Sequence, residues 1–103
     1  RRDLLIQVVV RLRNCGVNMP DISKIVGHPV GSLSAFRRVY PVLWTKHETG
    51  SAAIRELDLS WINREYRERD RKIRTATLMR VMEFTWSEIA ETLEVDVETT
   101  FKW

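Results

Sequence analysis

The chain has 103 residues, of which 44% are hydrophobic and 30% are charged, and its formal net charge at pH 7 is +3. This composition excludes a disordered chain and allows one compact core or two very small ones. No apolar run reaches the ~18 residues that would span a bilayer, and the single cysteine, Cys15, has no partner for an internal disulfide. We therefore expect a protein of a reducing intracellular compartment with no membrane partner.

Apolar residues recur at helical intervals along most of the chain, and strand signals are nearly absent. A first helix should end near 14–16. Its buried face is formed by Leu4, Leu5, Val8, Val9 and Leu12. A second, short helix is predicted from about Met19 to Val26. A third is predicted from 29–30 to 40, because Pro41 disfavours helical geometry in the residue before it.

The middle of the chain is predicted to be a loop at 45–51, "TKHETGS", followed by a helical stretch at 52–84 with Ser51 as its cap. One helix of that length would be unusual in a globular domain, so we expect a break between Asp58 and Ser60 or near Thr75. Two more short helices are expected, at 86–93 and from about Val97. The predicted fold class is all-α.

One segment of the chain occurs twice: "GVNMPDISKIVG" at 16–27 returns as "EFTWSEIAETLE" at 83–94 with nearly every position conserved in character. Asn18 corresponds to Thr85 and Asp21 to Glu88, and both pairs have the cap-and-acid pattern of a helix start. The match predicts two copies of one structural unit. The simpler alternative is that any two amphipathic helices look alike.

The repeat also places an apolar residue before a small one, and another apolar residue three positions later. These residues are Ile22-Ser23 with Val26, and Ile89-Ala90 with Leu93. In this pattern each copy resembles the helix-turn-helix of DNA-binding proteins. Glycine is common in the turn of that family, where Gly27 fits and Glu94 departs.

The resemblance implies two tandem three-helix units, at 1–44 and 67–103, joined by a loop and a basic helical segment at 45–66. It implies double-stranded DNA as partner, in the nucleus or in a bacterial nucleoid. Because Trp103 falls within a predicted helix, the second unit is expected to continue beyond it. A homodimer would form through this second unit or through residues beyond 103.

The segment "WSEIAETL" followed by Trp103 also looks like part of a Myb-like repeat. Such repeats space three tryptophans nearly evenly, whereas the tryptophans here are separated by 17, 25 and 17 residues. We interpret all four tryptophans, Trp44, Trp61, Trp86 and Trp103, as core anchors. The partial likeness leaves open a protein-interaction module of a chromatin complex, and the DNA-docking part of a transposase or recombinase is a further alternative.

Charge is unevenly distributed along the chain. Residues 1–50 have eight Lys/Arg and three Asp/Glu, residues 64–80 have seven and three, and residues 81–103 have one and six. DNA binding requires basic surface. The second copy begins its last helix with Asp96 and Glu98, so we expect that helix not to read DNA.

The third helix, "VGSLSAFRRVY", is the predicted DNA reader. If Leu33, Phe36 and Tyr40 face inward, the outer face is small at its start and cationic at its end. Such a face can enter a major groove, where serine and arginine contact bases and arginine contacts phosphate. The candidate DNA-binding residues here are Gly31, Ser32, Ser34, Ala35, Arg37 and Arg38.

The basic segment 64–74, "REYRERDRKIR", supplies further candidates. Arg67, Arg71 and Arg74 are spaced to share one helical face and to contact phosphates. The alternative is an ordinary solvated helix with internal ion pairs. His28 and His47 have no partner at metal-ligand spacing, and no catalytic motif is present. We therefore predict no enzyme activity, no metal site and no cofactor.

Overall fold

The computed structural model describes residues 2–49, 57–65 and 67–103, and all regular structure in these ranges is helical, which confirms the all-α fold class. Ser51 and Tyr66 lie outside the described residues. The helices are α1 Arg2–Asn14, α2 Met19–Val26, α3 Val30–Val39, α4 Pro41–Thr49, α5 Glu68–Val81, α6 Trp86–Leu93 and α7 Val97–Phe101. The chain forms two compact units, Arg2–Leu57 and Asp58–Trp103.

Helix α1 lies at the centre of the first unit. It packs against α2 and α4, and because its apolar residues extend beyond one stripe, more than one side of it is covered. Its buried residues are Leu4, Leu5, Ile6, Val8, Val9, Val10 and Leu12. The core also contains Ile22 and Ile25 of α2 and Trp44 of α4. Helix α3 is buried only at Leu33 and Phe36, which lie on one side of it.

One residue at each end, Asn18 and Gly27, determines where helix α2 begins and ends. The side chain of Asn18 accepts a 2.9 Å hydrogen bond from the backbone N–H of Asp21 and so caps the helix start. Gly27 ends the helix in the left-handed region at φ 74°, and its N–H donates to the carbonyl of Ser23. The turn brings α3 back across α2.

Residues 45–49 are helical, so the loop predicted at 45–51 is wrong in this part. Pro41 is at the first position of α4, where a missing N–H costs nothing. Trp44 is only 4% exposed and anchors α4 on α1. The hydroxyl of Thr49 donates to the carbonyl of Thr45 at 2.9 Å. Tertiary packing therefore prevails over the weak helical preference of this polar segment.

Residues 57–65 are non-helical, so the helical stretch predicted at 52–84 is wrong over more than the expected break between Asp58 and Ser60, whereas α5 passes Thr75 without interruption. The Asp58 carboxylate accepts hydrogen bonds from the Ser60 hydroxyl at 2.7 Å and the Ser60 N–H at 3.1 Å, and such a turn competes with helix formation. These bonds hold the pKa of Asp58 below its usual value of 3.8. Helix α5 begins only at Glu68, so a helix spanning 64–74 is wrong at its start.

The internal repeat is visible in the backbone. Helix α6 begins and ends 67 residues after α2, and α5 ends and α7 begins 67 residues after the equivalent points of α1 and α3. Thr85 and Glu88 form a capping box at the start of α6, where Asn18 and Asp21 stand in the first copy. The sequence match therefore reflects more than two similar amphipathic helices.

The two copies also share their left-handed residues. Gly16 and Gly27 have φ of 87° and 74°, and the equivalent Glu83 and Glu94 have φ of 69° and 57°. The loops have matching hydrogen bonds: the N–H of Val17 donates to the Leu12 carbonyl at 3.1 Å. In the second copy the N–H of Phe84 donates to the Met79 carbonyl at 3.0 Å. Each unit thus repeats one helix-loop-helix-turn-helix path.

The prediction that all four tryptophans anchor cores is wrong for two of them. Trp44 and Trp61 are buried, at 4% and 7% exposed, but Trp86 and Trp103 are half-buried. Trp86 begins α6 and has the Arg80 guanidinium 4.9 Å from its ring centroid, so one side of it is covered by a cation rather than by apolar core.

Candidate nucleic-acid interface

Helix α3 presents two contrasting sides. Leu33 and Phe36 are buried, which confirms two of the three residues predicted to face inward, and Tyr40 is half-buried. The outer side is exposed at Gly31, Ser32, Ser34, Arg37 and Arg38, and only Ala35 is half-buried. Six of the candidate residues therefore lie together on one short helix, small at its start and cationic at its end.

Gly31 has no structural reason to be glycine among the described residues. It lies in regular helical backbone, and a Cβ added there would meet no heavy atom within 4 Å. Glycine in a helix costs up to about 1 kcal/mol relative to alanine. Its absent side chain leaves the backbone of α3 open to close approach from outside.

The N-terminus of α3 is the electropositive end of that helix. Its N-cap, Pro29, has no side-chain hydrogen-bonding group, and in α3, which is described throughout, no acidic residue lies in the first turn. By contrast, α6 has Glu88 in its first turn. The first N–H groups of α3 and its dipole therefore favour an anion at this end.

Arg37 and Arg38 diverge although they are adjacent in sequence. Arg37 lines a cleft of about 120 Å³ at the C-terminal end of α1, together with residues of α1 and α4, and Arg38 does not line it. Both side chains are exposed. The two arginines therefore lie in different parts of the surface around α3.

The three arginines of the basic segment do not form the single helical face that their spacing predicts. Arg67 lies before α5, at its N-cap position, with extended backbone. Arg71 forms an ion pair with Glu68, with a 3.2 Å bond from its Nε to Oε2, and its side chain is only 17% exposed. This pairing holds the pKa of Glu68 below its usual value. Arg74 is exposed and acts electrostatically on Asp58.

The second unit carries acidic residues where the first is neutral or basic. Asp96 is the N-cap of α7 and Glu98 lies in its first turn, at the position equivalent to Gly31. Phe101 is 64% exposed and stands edge-on to Trp86, with ring centroids 6.0 Å apart. This part of the second unit combines negative charge with one exposed and one half-buried aromatic ring.

The histidines and the cysteine have structural surroundings. His47 contacts Asp3 at 2.6 Å between Nε2 and Oδ1 and so ties α4 to α1. The backbone carbonyl of His28 accepts a 2.5 Å hydrogen bond from the Ser23 hydroxyl. Cys15 is half-buried. In the described ranges, no group of three or more His, Cys, Asp or Glu side chains is placed to hold a metal ion.

Sequence reasoning missed the residues that share the cleft with Arg37, above all Arg13 and Asn14. Arg13 appears in the sequence only as an interruption of an apolar run. Its place in the same cleft as Arg37 depends on the packing of α4 against both α1 and α3, which no local pattern encodes.

Comparison with known proteins found no matching family model, no matching curated protein and no matching solved structure. Of the helices described, none is both long and apolar enough to cross a membrane.

Proposed function

We propose that this chain binds double-stranded DNA with sequence preference, with α3 in the major groove and the first unit as the reader. The observation that carries the proposal is the outer side of α3. It combines a glycine with open space around it, two exposed serines and an exposed arginine, Arg38, on a helix that is otherwise anchored from behind.

Each part of that surface suits a part of duplex DNA. A small helix start allows the backbone to lie deep in the groove, where Ser34 can hydrogen-bond to base edges. Arg38, one turn further along, can make a bidentate contact with guanine. The uncapped N-terminus of α3 and Arg37 favour phosphates on either side.

The experiment that tests this function is selection of bound sequences from a random duplex pool, followed by affinity measurements on the enriched sequence and a scrambled one. An enriched motif with tighter binding to that motif supports the proposal. No enrichment at low salt, with equal affinity for both duplexes, would contradict sequence preference.

Salt dependence tests the electrostatic part separately. The logarithm of affinity should fall linearly with the logarithm of salt concentration, with a slope of roughly −0.9 for each phosphate contacted. Arg37→Gln should reduce that slope, whereas Arg71→Gln should change it less, because Arg71 is already paired with Glu68. A flat salt response would remove the phosphate contacts altogether.

A second candidate function, protein interaction through the second unit, is favoured by the exposed Phe101 beside Trp86 and by the acidic residues at the start of α7. This surface could also pair two copies of the chain. Sedimentation at increasing concentration tests pairing, and Phe101→Ser should abolish it. If Phe101→Ser leaves both DNA selection and oligomeric state unchanged, this surface serves neither.

A further inference from the structure

The cleft beside Arg37 collects cationic and hydrogen-bonding groups from three helices. Arg13 and Asn14 come from the end of α1, Arg37 from α3, and Trp44 and Glu48 from α4, while Val10 closes the apolar side. Its volume of about 120 Å³ is several times the room that one water molecule needs. An ion of phosphate size fits in such a space.

The two guanidinium groups are not neutralised within the cleft. Among the described residues, no carboxylate oxygen lies within 4.0 Å of a guanidinium nitrogen of Arg13 or Arg37, although Glu48 lines the same cleft. The Arg13 guanidinium instead lies 5.9 Å from the ring centroid of Trp44. The aromatic ring holds this cation in place and leaves its N–H donors available.

Trp44 adds a further donor. Its indole N–H has no acceptor among the described residues, and none of their side-chain nitrogen or oxygen atoms is both buried and unpartnered. The N–H of this nearly buried residue therefore keeps contact with solvent. Trp44 lines the cleft, so its side chain lies close to any ion bound there.

We propose that this cleft is a phosphate-binding site, in which the guanidinium groups of Arg13 and Arg37 grip one phosphate group and the indole N–H of Trp44 donates to it. Planar guanidinium groups suit phosphate oxygens, and charge-assisted hydrogen bonds of this kind are the strong ones. Glu48 opposes the anion and sets an upper limit on its affinity.

The phosphate can come from the backbone of DNA or from free phosphate, and the chemistry of the site is the same. If the phosphate belongs to DNA, the inference rests on the proposed function, and the C-terminal end of α1 binds the DNA backbone beside the reading helix α3. Arg13 and Arg37 would then neutralise the same phosphate. Arg13→Gln and Arg37→Gln should each reduce the magnitude of the salt slope by about 0.9, and the double variant should reduce it by no more than either single variant.

The direct test follows the indole N–H signal of Trp44 by NMR during titration with inorganic phosphate and, separately, with the selected duplex. Trp44→Phe assigns the signal, and sodium chloride at equal ionic strength is the salt control. We expect the signal to shift with phosphate but not with chloride. Arg13→Gln and Arg37→Gln should each weaken phosphate binding roughly tenfold, and Arg38→Gln, outside the cleft, should leave it unchanged.

Glu48→Gln provides a gain-of-binding variant that a merely structural role would not predict. Removing the opposing charge should strengthen phosphate binding roughly two- to fivefold. The inference is overturned if the Trp44 signal responds to neither phosphate nor duplex, or if it responds equally in the Arg13/Arg37 double variant.

The two sources give different results. A shift with phosphate but not with the duplex supports the site and assigns it to free phosphate, so the proposed contact with DNA fails while the cleft stands. Loss of duplex binding in Arg38→Gln, together with full duplex binding in Arg13→Gln and Arg37→Gln and no response of Trp44 to phosphate or duplex in the unsubstituted chain, keeps DNA binding and overturns the cleft.

Discussion

Gly31→Ala separates stability from function more sharply than any other substitution in α3. The backbone there is helical and the space around a Cβ is open, so alanine adds no clash within the unit. Gly-to-Ala changes at compatible positions stabilise by about 0.4–1 kcal/mol, chiefly by restricting the unfolded chain. For a domain of this size, half a kcal/mol raises Tm by about 2–4 °C.

Gly31→Ala should lower the affinity for DNA although it raises the stability of the protein. If the start of α3 lies against base edges, the added methyl group intrudes at the closest approach and costs about 1–3 kcal/mol, as overpacking does. This corresponds to roughly a fivefold to hundredfold loss in affinity for the selected duplex. Thermal unfolding by circular dichroism and competition binding measure the two effects on the same sample.

Gly16→Ala is the matched control. Its Cβ would also meet no heavy atom within 4 Å among the described residues, but its φ is 87°, where a side chain is strained. This variant should lose about 1 kcal/mol or more of stability and should keep its sequence preference while folded. A Gly31→Ala protein that is more stable and binds with unchanged affinity and preference would refute the role of α3 in the groove.

Three other substitutions test separate parts of the molecule. Arg38→Ala should relax the preference at one base position and cost about 1–3 kcal/mol of binding free energy on the selected duplex. Arg71→Ala should instead weaken binding to the selected and the scrambled duplex alike. Equal losses for Arg38→Ala on both duplexes would show that Arg38 does not read a base. Thr85→Ala removes the capping box of α6 and should lower stability by about 1 kcal/mol in denaturant titrations, with an unchanged midpoint counting against the cap. Because Ser60 holds the pKa of Asp58 below its usual 3.8, the contribution of Asp58 is complete above that value and is lost as pH falls below it. Asp58→Ala should therefore flatten the acid limb of the stability curve, and an unchanged limb would contradict this reasoning.

Helix boundaries were predictable where one residue decides them. Asn18 and Gly27 fix α2 by a side-chain cap and a left-handed turn, and both are readable from the sequence. The outward placement of Ser34 and Arg38 followed from the burial of Leu33 and its neighbours, because helical geometry ties one side of α3 to the other.

Other features depend on contacts that no local pattern contains. Residues 45–49 are polar, and their helix persists because Trp44 packs on α1, which is distant in sequence. The spacing of Arg67, Arg71 and Arg74 is that of one helical face, but α5 begins only at Glu68, so Arg67 lies outside the helix. The connection before α5 is non-helical and includes the hydrogen bonds between Asp58 and Ser60. The cleft requires three separate helices to meet, so its composition appears only in the folded unit.

Glutamate occupies both left-handed positions of the second unit, Glu83 and Glu94, where the first unit has glycine. A side chain in this conformation costs about 1–2 kcal/mol, which glycine avoids. The same two residues provide two of the six acidic side chains in 81–103. Replacing both with glycine would relax the backbone and also remove a third of the negative charges of that segment. Part of the acidity of the second unit therefore comes with a conformational penalty, and exchanging these two residues for glycine would trade negative charge for stability.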